Sequence, residues 1–485
     1  MTAKRILLAT ILAMTALALQ ARVSQRRTYV YRYYLVDKEG SRYSLDKPLK
    51  FLSAKSVERR RRQSLPLDST DLPVSPAYVK QLAVTGVQLV GTSRWQNTVV
   101  LRSTDSLLLE QLGQKPCVRE TRCVYVSPST PEEKEKIEWN VRRDFNRWDS
   151  VRNDPYGMAR QQVEMLGGVR MHEAGFTGRG VTIAILDGGF QNFDRIPAFR
   201  KTRIAGTHDF VSAQPVGDAG EQLRPGGDAF HLIDHGTKVL SAMAARAPEV
   251  MIGTAPDATY WLLRSEDNAS EQPVEEDYWT MAAEFADSVG ADVLNSSLGY
   301  YAYDEPLGSY RLRDLDGHTA FVSRSASLLA GKGMVLCNSA GNSGMGAWKK
   351  IGVPADADNI LTVGAVDVEG NNAPFSSVGP SQDGRVKPDV VACGSNTVLI
   401  SGKGRLVHDM GTSFSTPVTC GMVACLWQAL PQLTAIDIMQ LVRQSADRHD
   451  APDNIFGYGL PNYWKAYMNG REATEQDHAR DADTF

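Results

Sequence analysis

A chain of 485 residues with 42% hydrophobic side chains and a formal charge of −3 exceeds one average domain, so two to three units with a sizeable core are expected. The near balance of charge gives no electrostatic ground for nucleic acid or an anionic membrane as partner. The six cysteines contain no CxxC or Cys/His spacing of the kind that holds zinc.

Residues 1–21 read as a secretory signal. Lys4 and Arg5 are the basic start, Ile6 to Leu19 the apolar core, and Ala16-Leu17-Ala18 or a bond near Ala21 the cleavage site. The apolar run is shorter than the ~20 residues of a spanning helix, so the product is expected to be exported, secreted or periplasmic, with no membrane association once the signal is removed. Export permits disulfides. Cys117 and Cys123 are close enough in sequence to pair, whereas Cys337, Cys393, Cys420 and Cys425 sit among apolar neighbours and read as buried small hydrophobes.

From 29 to 127 the pattern is a small α+β unit. Tyr29 to Val36 reads as a strand, Leu52 to Gln63 and Pro76 to Val84 as helical, Val87 to Thr92 and Thr98 to Arg102 as strands, Ser106 to Leu112 as a helix and Cys123 to Val126 as a strand. Taking the first two helical pieces as one layer gives the ferredoxin-like order. Arg59-Arg60-Arg61-Arg62 lies inside a helical stretch and reads as a solvated helix face rather than a processing site. Residues 128–155 form a charged, proline-containing linker ending at Asp154-Pro155, the segment best placed for a cut.

From Tyr156 to Asn469 apolar β-rich runs alternate with helices. The runs are Val181 to Leu186, Thr259 to Leu263, Asp292 to Leu294, Met334 to Cys337, Leu361 to Val363 and Val390-Val391. The helices are Thr237 to Ala245, Tyr278 to Val289, Arg324 to Ala330, Ser413 to Leu430 and Ala435 to Ser445. Unbroken apolar strands between helices predict a mainly parallel sheet covered on both faces, an α/β/α architecture. The acidic tail 470–485 lacks periodicity and is expected to be disordered.

In such sheets reactive groups gather beyond the C-terminal strand ends. Asp187 directly follows the run ending at Leu186 and precedes two glycines; a turn-forming Asp is the plain alternative. His235 opens a small-residue helix. An imidazole that serves as a base needs a carboxylate on its other nitrogen, and Asp187 suits this better than the adjacent Asp234. Asn342, in Ala340-Gly341-Asn342, can aim an amide at an oxyanion. Ser297-Leu298-Gly299 follows a strand and can pair with a substrate peptide. Ser413 begins a helix that is apolar nearly all round. Alone it reads as an N-cap; beside the other groups it reads as a nucleophile.

These motifs together resemble the subtilisin-like serine proteases. The resemblance rests on Asp187-Gly188-Gly189, His235-Gly236-Thr237, Ser297-Leu298-Gly299, Ala340-Gly341-Asn342 and Gly411-Thr412-Ser413 with Pro417, in the order Asp, His, Ser. It covers about 156–469. It implies a secreted serine endopeptidase with Ser413 as nucleophile, His235 as base, Asp187 as its support, Asn342 at the oxyanion and Ser297, Leu298 and Gly299 along the substrate. It also implies that 29–127 is a propeptide that inhibits its own enzyme, and that the zymogen cuts itself within 128–155. Partners are then protein or peptide substrates and the propeptide itself. Calcium is common in the family, but no Asp-rich loop stands out, and neither a metal site nor a cofactor is assigned.

The chain departs from the family at Gly188-Gly189, Lys238, Cys393 and Phe414-Ser415; none of these removes a reacting group. His208, His231, His318 and His408 lack a motif. Glu271, Glu275, Glu276 and Asp277 read as a solvated acidic loop at the edge of the cleft. A catalytically silent subtilisin-like binding protein is the alternative function. An α/β-hydrolase esterase would need Gly-x-Ser-x-Gly and the nucleophile first in the chain.

Overall fold

The computed structural model describes residues 27–127, 154–212 and 232–482. The leader at 1–21, His231 and the linker up to Asn153 lie outside the described residues.

The first unit contains β1 (Tyr29–Leu35), α1 (Ala54–Arg62), α2 (Pro76–Leu82), β2 (Gln88–Ser93), β3 (Thr98–Ser103), α3 (Ser106–Leu112) and β4 (Val118–Val126). Its strands are antiparallel in the order β2-β3-β1-β4, the ferredoxin-like arrangement expected from the order of elements. Ser53 and Asp105 cap α1 and α3 by accepting from Ser56 N and Leu108 N. One sheet face closes a core in which Tyr33, Leu35, Val99 and Leu101 meet Leu82, Leu109 and Leu112.

The second unit opens with α4 (Arg160–Glu164), α5 (Gly168–Glu173), β5 (Thr182–Asp187) and β6 (Arg203–Asp209). Next come α6 (His235–Ala244), the short β7 (Arg246–Ala247) and β8 (Met251–Ile252), β9 (Thr259–Arg264), α7 (Val274–Val289), β10 (Val293–Ser296) and α8 (Phe321–Leu328). The chain ends with β11 (Val335–Ser339), β12 (Leu361–Val366), β13 (Val390–Cys393), β14 (Thr397–Ile400), β15 (Leu406–Asp409), α9 (Thr412–Ala429), α10 (Ala435–Ser445) and α11 (Tyr463–Ala482). Seven strands form one parallel sheet in the order β13-β12-β11-β10-β5-β9-β6. Alternation along β5 divides the core. Ile183 and Ile185 pack with Val239 of α6 and Val418 of α9, whereas Ala184 and Leu186 pack with Trp279 of α7 and Val322 of α8. Helices therefore cover both faces, as the apolar runs predict.

The outer face of the first sheet is also covered. Val30, Val100 and Val124 join the cluster around Tyr278 and Met281 of α7, so the first unit sits on that helix. Among the described residues no helix is long and apolar enough to cross a membrane.

Four expectations are corrected. Arg59 and Arg60 are each 2% exposed and form ion pairs with Asp287 of α7; only Arg61 and Arg62 lie on a solvated face. The acidic stretch is not a loop. Glu275, Glu276 and Asp277 form the first turn of α7, where the helix dipole favours anions, and they are 2%, 0% and 2% exposed. Each has donors: the backbone N–H groups of Asp267 and Gln272 for Glu275, the hydroxyls of Tyr303 and Tyr310 for Glu276, and Arg32 for Asp277. Glu271 alone remains exposed.

The tail is helical as far as Ala482. Buried Tyr463 and Ala466 seat its first turns, Gly470 closes on Leu430 and Leu441, and the Arg-, Glu- and Ala-rich stretch that follows has high helix propensity. Finally, all six cysteines are free. Cys117 directly precedes β4 and Cys123 lies within it. Six extended residues span about 20 Å, far beyond the reach of a disulfide.

Candidate active site

Register places the reactive groups. Ser296 pairs with Leu186 on one side and Asn338 on the other. Asp187, Ser297 and Ser339 are the next residues along each strand, so they share the C-terminal edge of the sheet, where crossovers leave a crevice. A cavity of about 330 Å³ opens there, lined by Asp187, His235, Ser297, Leu298, Gly299, Asn342 and Ser413.

Asp187 is fully buried. Its Oδ1 accepts from Gly188 N at 2.8 Å. His235 Nδ1 lies 3.0 Å from Oδ1 and 2.9 Å from Oδ2, so it carries the proton and Nε2 is left as the basic nitrogen. Burial disfavours the charged ring, but the charge and hydrogen bond of Asp187 outweigh it, and the His235 pKa is raised; Lys238 pulls the other way. Asp234 does not hold the ring. It accepts from Gly402 N at 3.0 Å and faces Lys238 at 3.4 Å. Lys238 also reaches Asp409 at 3.0 Å, tying the start of α6 to β15.

The helix that carries His235 is seated by two bonds to the Asp187 loop, Gly236 N to Gly189 O at 2.9 Å and Thr237 Oγ1 to Gln191 O at 2.8 Å. Of the two glycines after Asp187, Gly189 is sterically required, since backbone of Ile233 closes on it, whereas at Gly188 only the movable ends of Asn268 and Ile233 stand close. A Cβ on Gly189 would stand 2.8 Å from Leu232 Cβ, and one on Gly188 would stand 2.7 Å from Asn268 Oδ1.

Ser413 occupies the first turn of α9, whose free N–H groups favour negative charge. Its Oγ donates to Ser297 O at 3.2 Å, and Ser297 Oγ donates to Ser413 O at 2.8 Å. Gly411 has φ 155°, and a Cβ there would stand 3.7 Å from Asn342 Nδ2. A side chain would therefore fill the space that this amide faces.

Asn342 is oriented by Thr412. Both the backbone N and Oγ1 of Thr412 donate to Asn342 Oδ1, at 2.9 and 3.0 Å. With its oxygen held by two donors, the amide turns its NH₂ the other way, toward the cleft. Gly341 N in turn donates to Thr412 Oγ1 at 3.1 Å. Leu298 is held by Ser339 Oγ, which donates to its carbonyl at 3.0 Å.

All seven expected site residues thus meet in one cleft. Thr412 was not among them; its position beside Ser413 was the only available signal. Phe414, noted as a departure, is 3% exposed and packs its ring 5.6 Å from that of His235. Ser415 is buried and donates to Thr412 O at 3.1 Å. Cys393 is buried at the end of β13, 3.8 Å from Thr397 Oγ1. Among the described residues no three His, Cys, Asp or Glu side chains gather as a metal-binding group.

The family model of the Subtilase family matches residues 178–459. The chain belongs to the subtilase family. With that membership it is a serine endopeptidase. A second family model, the Peptidase S8 propeptide domain of Bacteroidota, matches residues 30–139, so the first unit is a prodomain of this subtilase. Among curated relatives, Serine protease AprX of Bacillus subtilis (strain 168) is 26% identical over 59% of this chain and 66% of its own length. Subtilisin Savinase of Lederbergia lenta is 27% identical over 64% of this chain and 96% of its own length. Thermophilic serine proteinase of Bacillus sp. (strain AK1) is 29% identical over 49% and 53%. The chain thus spans just under two thirds of AprX and nearly all of Savinase.

Proposed function

We propose that this subtilase hydrolyses peptide bonds of protein substrates through an acyl-enzyme on Ser413, and that it is exported as a zymogen that cuts itself between 128 and 155. The observation that carries the reading is the Asp187–His235 pair, with both carboxylate oxygens on Nδ1, facing the same cavity as Ser413 and Asn342.

The substrate chain lies along Ser297-Leu298-Gly299 as an added strand. The Ser413 hydroxyl exchanges Ser297 O for His235 Nε2 as its acceptor, and Oγ attacks the carbonyl carbon while Nε2 takes the proton. Negative charge then develops on the carbonyl oxygen. The Asn342 NH₂ and the Ser413 backbone N–H meet it there, already oriented and so needing no reorganisation. The imidazolium, stabilised by Asp187, returns its proton to the leaving amine. Water repeats the sequence and frees the acid.

Labelling with a fluorophosphonate probe, followed by casein hydrolysis, tests the reading. Labelled Ser413 with casein cleavage supports it. An unlabelled serine points to the silent binding protein. Labelling and ester turnover without casein cleavage points to an esterase.

Two further outcomes follow from the geometry. Asn342→Leu keeps the volume but removes the oxyanion donor. It is expected to lower kcat by about 10²–10³ with little change in KM, as steady-state kinetics on a chromogenic peptide will show. Lys238→Met should move the acid limb of kcat/KM to higher pH. His235 acts only when neutral, so activity is present above its pKa and lost below it. Removing a cation that disfavours imidazolium, and leaving Asp234 unpaired beside the ring, raises that pKa further. The plateau should remain, since Lys238 reacts with nothing. A limb that stays in place or moves to lower pH contradicts this.

A further inference from the structure

Three glutamates in the cleft have no part in the chemistry above. Glu266, Glu271 and Glu275 line the same cavity as Asp187, His235 and Ser413. Their carboxylates are not equivalent. Glu275 is occupied within its own loop: its two oxygens accept from Asp267 N at 2.8 Å and from Gln272 N at 3.1 Å. Glu266 is only half satisfied. Its Oε1 accepts from the Tyr300 hydroxyl at 2.6 Å and from Ser265 Oγ at 3.3 Å. Its Oε2 has no donor among the described residues, although the residue is half-buried. The carboxylate of Glu271 has none either; only its backbone is bonded, to Asp304.

Among the described residues no lysine, arginine or histidine pairs with any of the three. The charges that act on them most strongly are negative. Burial and the charges of Glu271 and Asp187 push the Glu266 carboxyl well above the usual range, against the Tyr300 hydroxyl that holds it down. Burial and the charge of Asp304 push Glu271 up to about 7. A cation entering here offsets both the lost hydration and the like charges, so these carboxyls gain from it more than exposed ones would.

Position says where that cation comes from. Ser297 bonds Ser413, and the segment that pairs with substrate runs on through Leu298 to Gly299. Tyr300 comes next. It is 1% exposed and is pinned by a reciprocal backbone pair with Val353, at 2.7 and 2.9 Å. Its hydroxyl therefore holds Glu266 at a fixed place beside the substrate strand. Asn268 Nδ2 ties the same loop to Gly188 O at 3.0 Å, so the loop is fastened to the Asp187 turn as well. An added strand turns alternate side chains to opposite walls, and one set meets this one. The half of the peptide that stays on Ser413 as the acyl group still has to be held when water attacks, so the position concerned lies upstream of the cut. The proposed self-cut segment itself offers such side chains: Lys134, Lys136, Arg142, Arg143, Arg147 and Arg152 lie within 128–155. We infer that Glu266, with Glu271 beside it, selects a lysine or arginine side chain upstream of the scissile bond. The inference rests on the proteolytic reading of this cleft.

The test uses mature enzyme released from the full chain, and quenched fluorogenic peptides that carry arginine, lysine, methionine or glutamate at each acyl-side position in turn. Wild type is expected to favour arginine or lysine over methionine at one position by at least about 10-fold in kcat/KM, the effect of a charge-assisted contact. Glutamate there should be the poorest. Glu266→Gln keeps the volume and an acceptor for Tyr300 but removes the charge, and its arginine-to-methionine ratio should fall about 10-fold. Glu271→Lys reverses a charge at an exposed position. It should lower the same ratio at the same position and raise the relative rate of the glutamate peptide. If Glu266→Gln yields no mature enzyme, Glu271→Lys and the wild-type profile decide. A wild-type profile with no basic preference overturns the inference, and so do variants that keep the wild-type ratio. Failure of the proteolytic reading looks different: wild type would neither label with fluorophosphonate nor cut any peptide of the set, and the inference would fall with it.

Discussion

Ser413→Ala is expected to lower kcat for peptide hydrolysis about 10⁶-fold, the loss that accompanies removal of a triad nucleophile. It should also leave the chain as one uncut piece on a denaturing gel and abolish fluorophosphonate labelling. The fold should not suffer. Ser413 Oγ makes one bond, to Ser297 O at 3.2 Å, and the stronger return contact, Ser297 Oγ to the Ser413 carbonyl at 2.8 Å, involves only backbone at 413. The thermal unfolding midpoint of the uncut variant should therefore match that of uncut wild type. A residual rate above water, about 10³–10⁴-fold, is expected from the oxyanion donors and substrate alignment alone. Two results would break the argument in different places. Wild-type activity in Ser413→Ala would remove Ser413 from the chemistry. An inactive variant that is nevertheless processed would mean that another protease makes the cut.

The catalytic sheet was legible because its signal is local. Strands buried on both faces, such as Val181 to Leu186, must be apolar throughout, and each stands out between helices. The edge strand β6, Arg203–Asp209, escaped because its first five residues are exposed or half-buried and it holds no run of large apolar side chains. The hairpin β14–β15 escaped because each strand has only four residues. The sequence pattern starts α7 at Tyr278, four residues late, because the charges before it read as solvent-facing. Burial of Glu275, Glu276 and Asp277 depends on tyrosines, backbone N–H groups and an arginine from elsewhere in the chain, and no local pattern announces that. The same reason hid Arg59 and Arg60. Their partner, Asp287, lies 228 and 227 residues away.

The candidate site was legible for a related reason. Each group sits where a strand or helix ends, and such ends can be read from the boundary between an apolar run and glycine. Asp187 after Leu186 and Ser413 after Gly411 are cases of this kind. The supports were less visible. Thr412 holds Asn342 through two bonds, yet threonine before a helix serves many purposes. Phe414 packs its ring against that of His235, a contact across the fold that no local pattern shows.

Asp187→Asn separates positioning from bulk, and is expected to lower kcat about 10⁴-fold. The substitution is isosteric at a fully buried position, so the fold and the cavity should persist. What changes is the tautomer. Gly188 N donates to Asp187 Oδ1 at 2.8 Å, and an asparagine keeps that bond only with its oxygen in the same place. Its NH₂ must then take the position of Oδ2, 2.9 Å from His235 Nδ1. There it donates to Nδ1, which must become an acceptor, and the ring proton moves to Nε2. Nε2 can then no longer take the proton from Ser413. The variant also removes the charge that holds the imidazole pKa up against burial. The acid limb of the residual activity should therefore move to lower pH, opposite to the shift expected for Lys238→Met. A pH profile of kcat/KM on one peptide, measured for both variants, reads both signs. A modest loss of activity with an unshifted limb would show that Asp187 only fills space, and another group would then have to orient the ring.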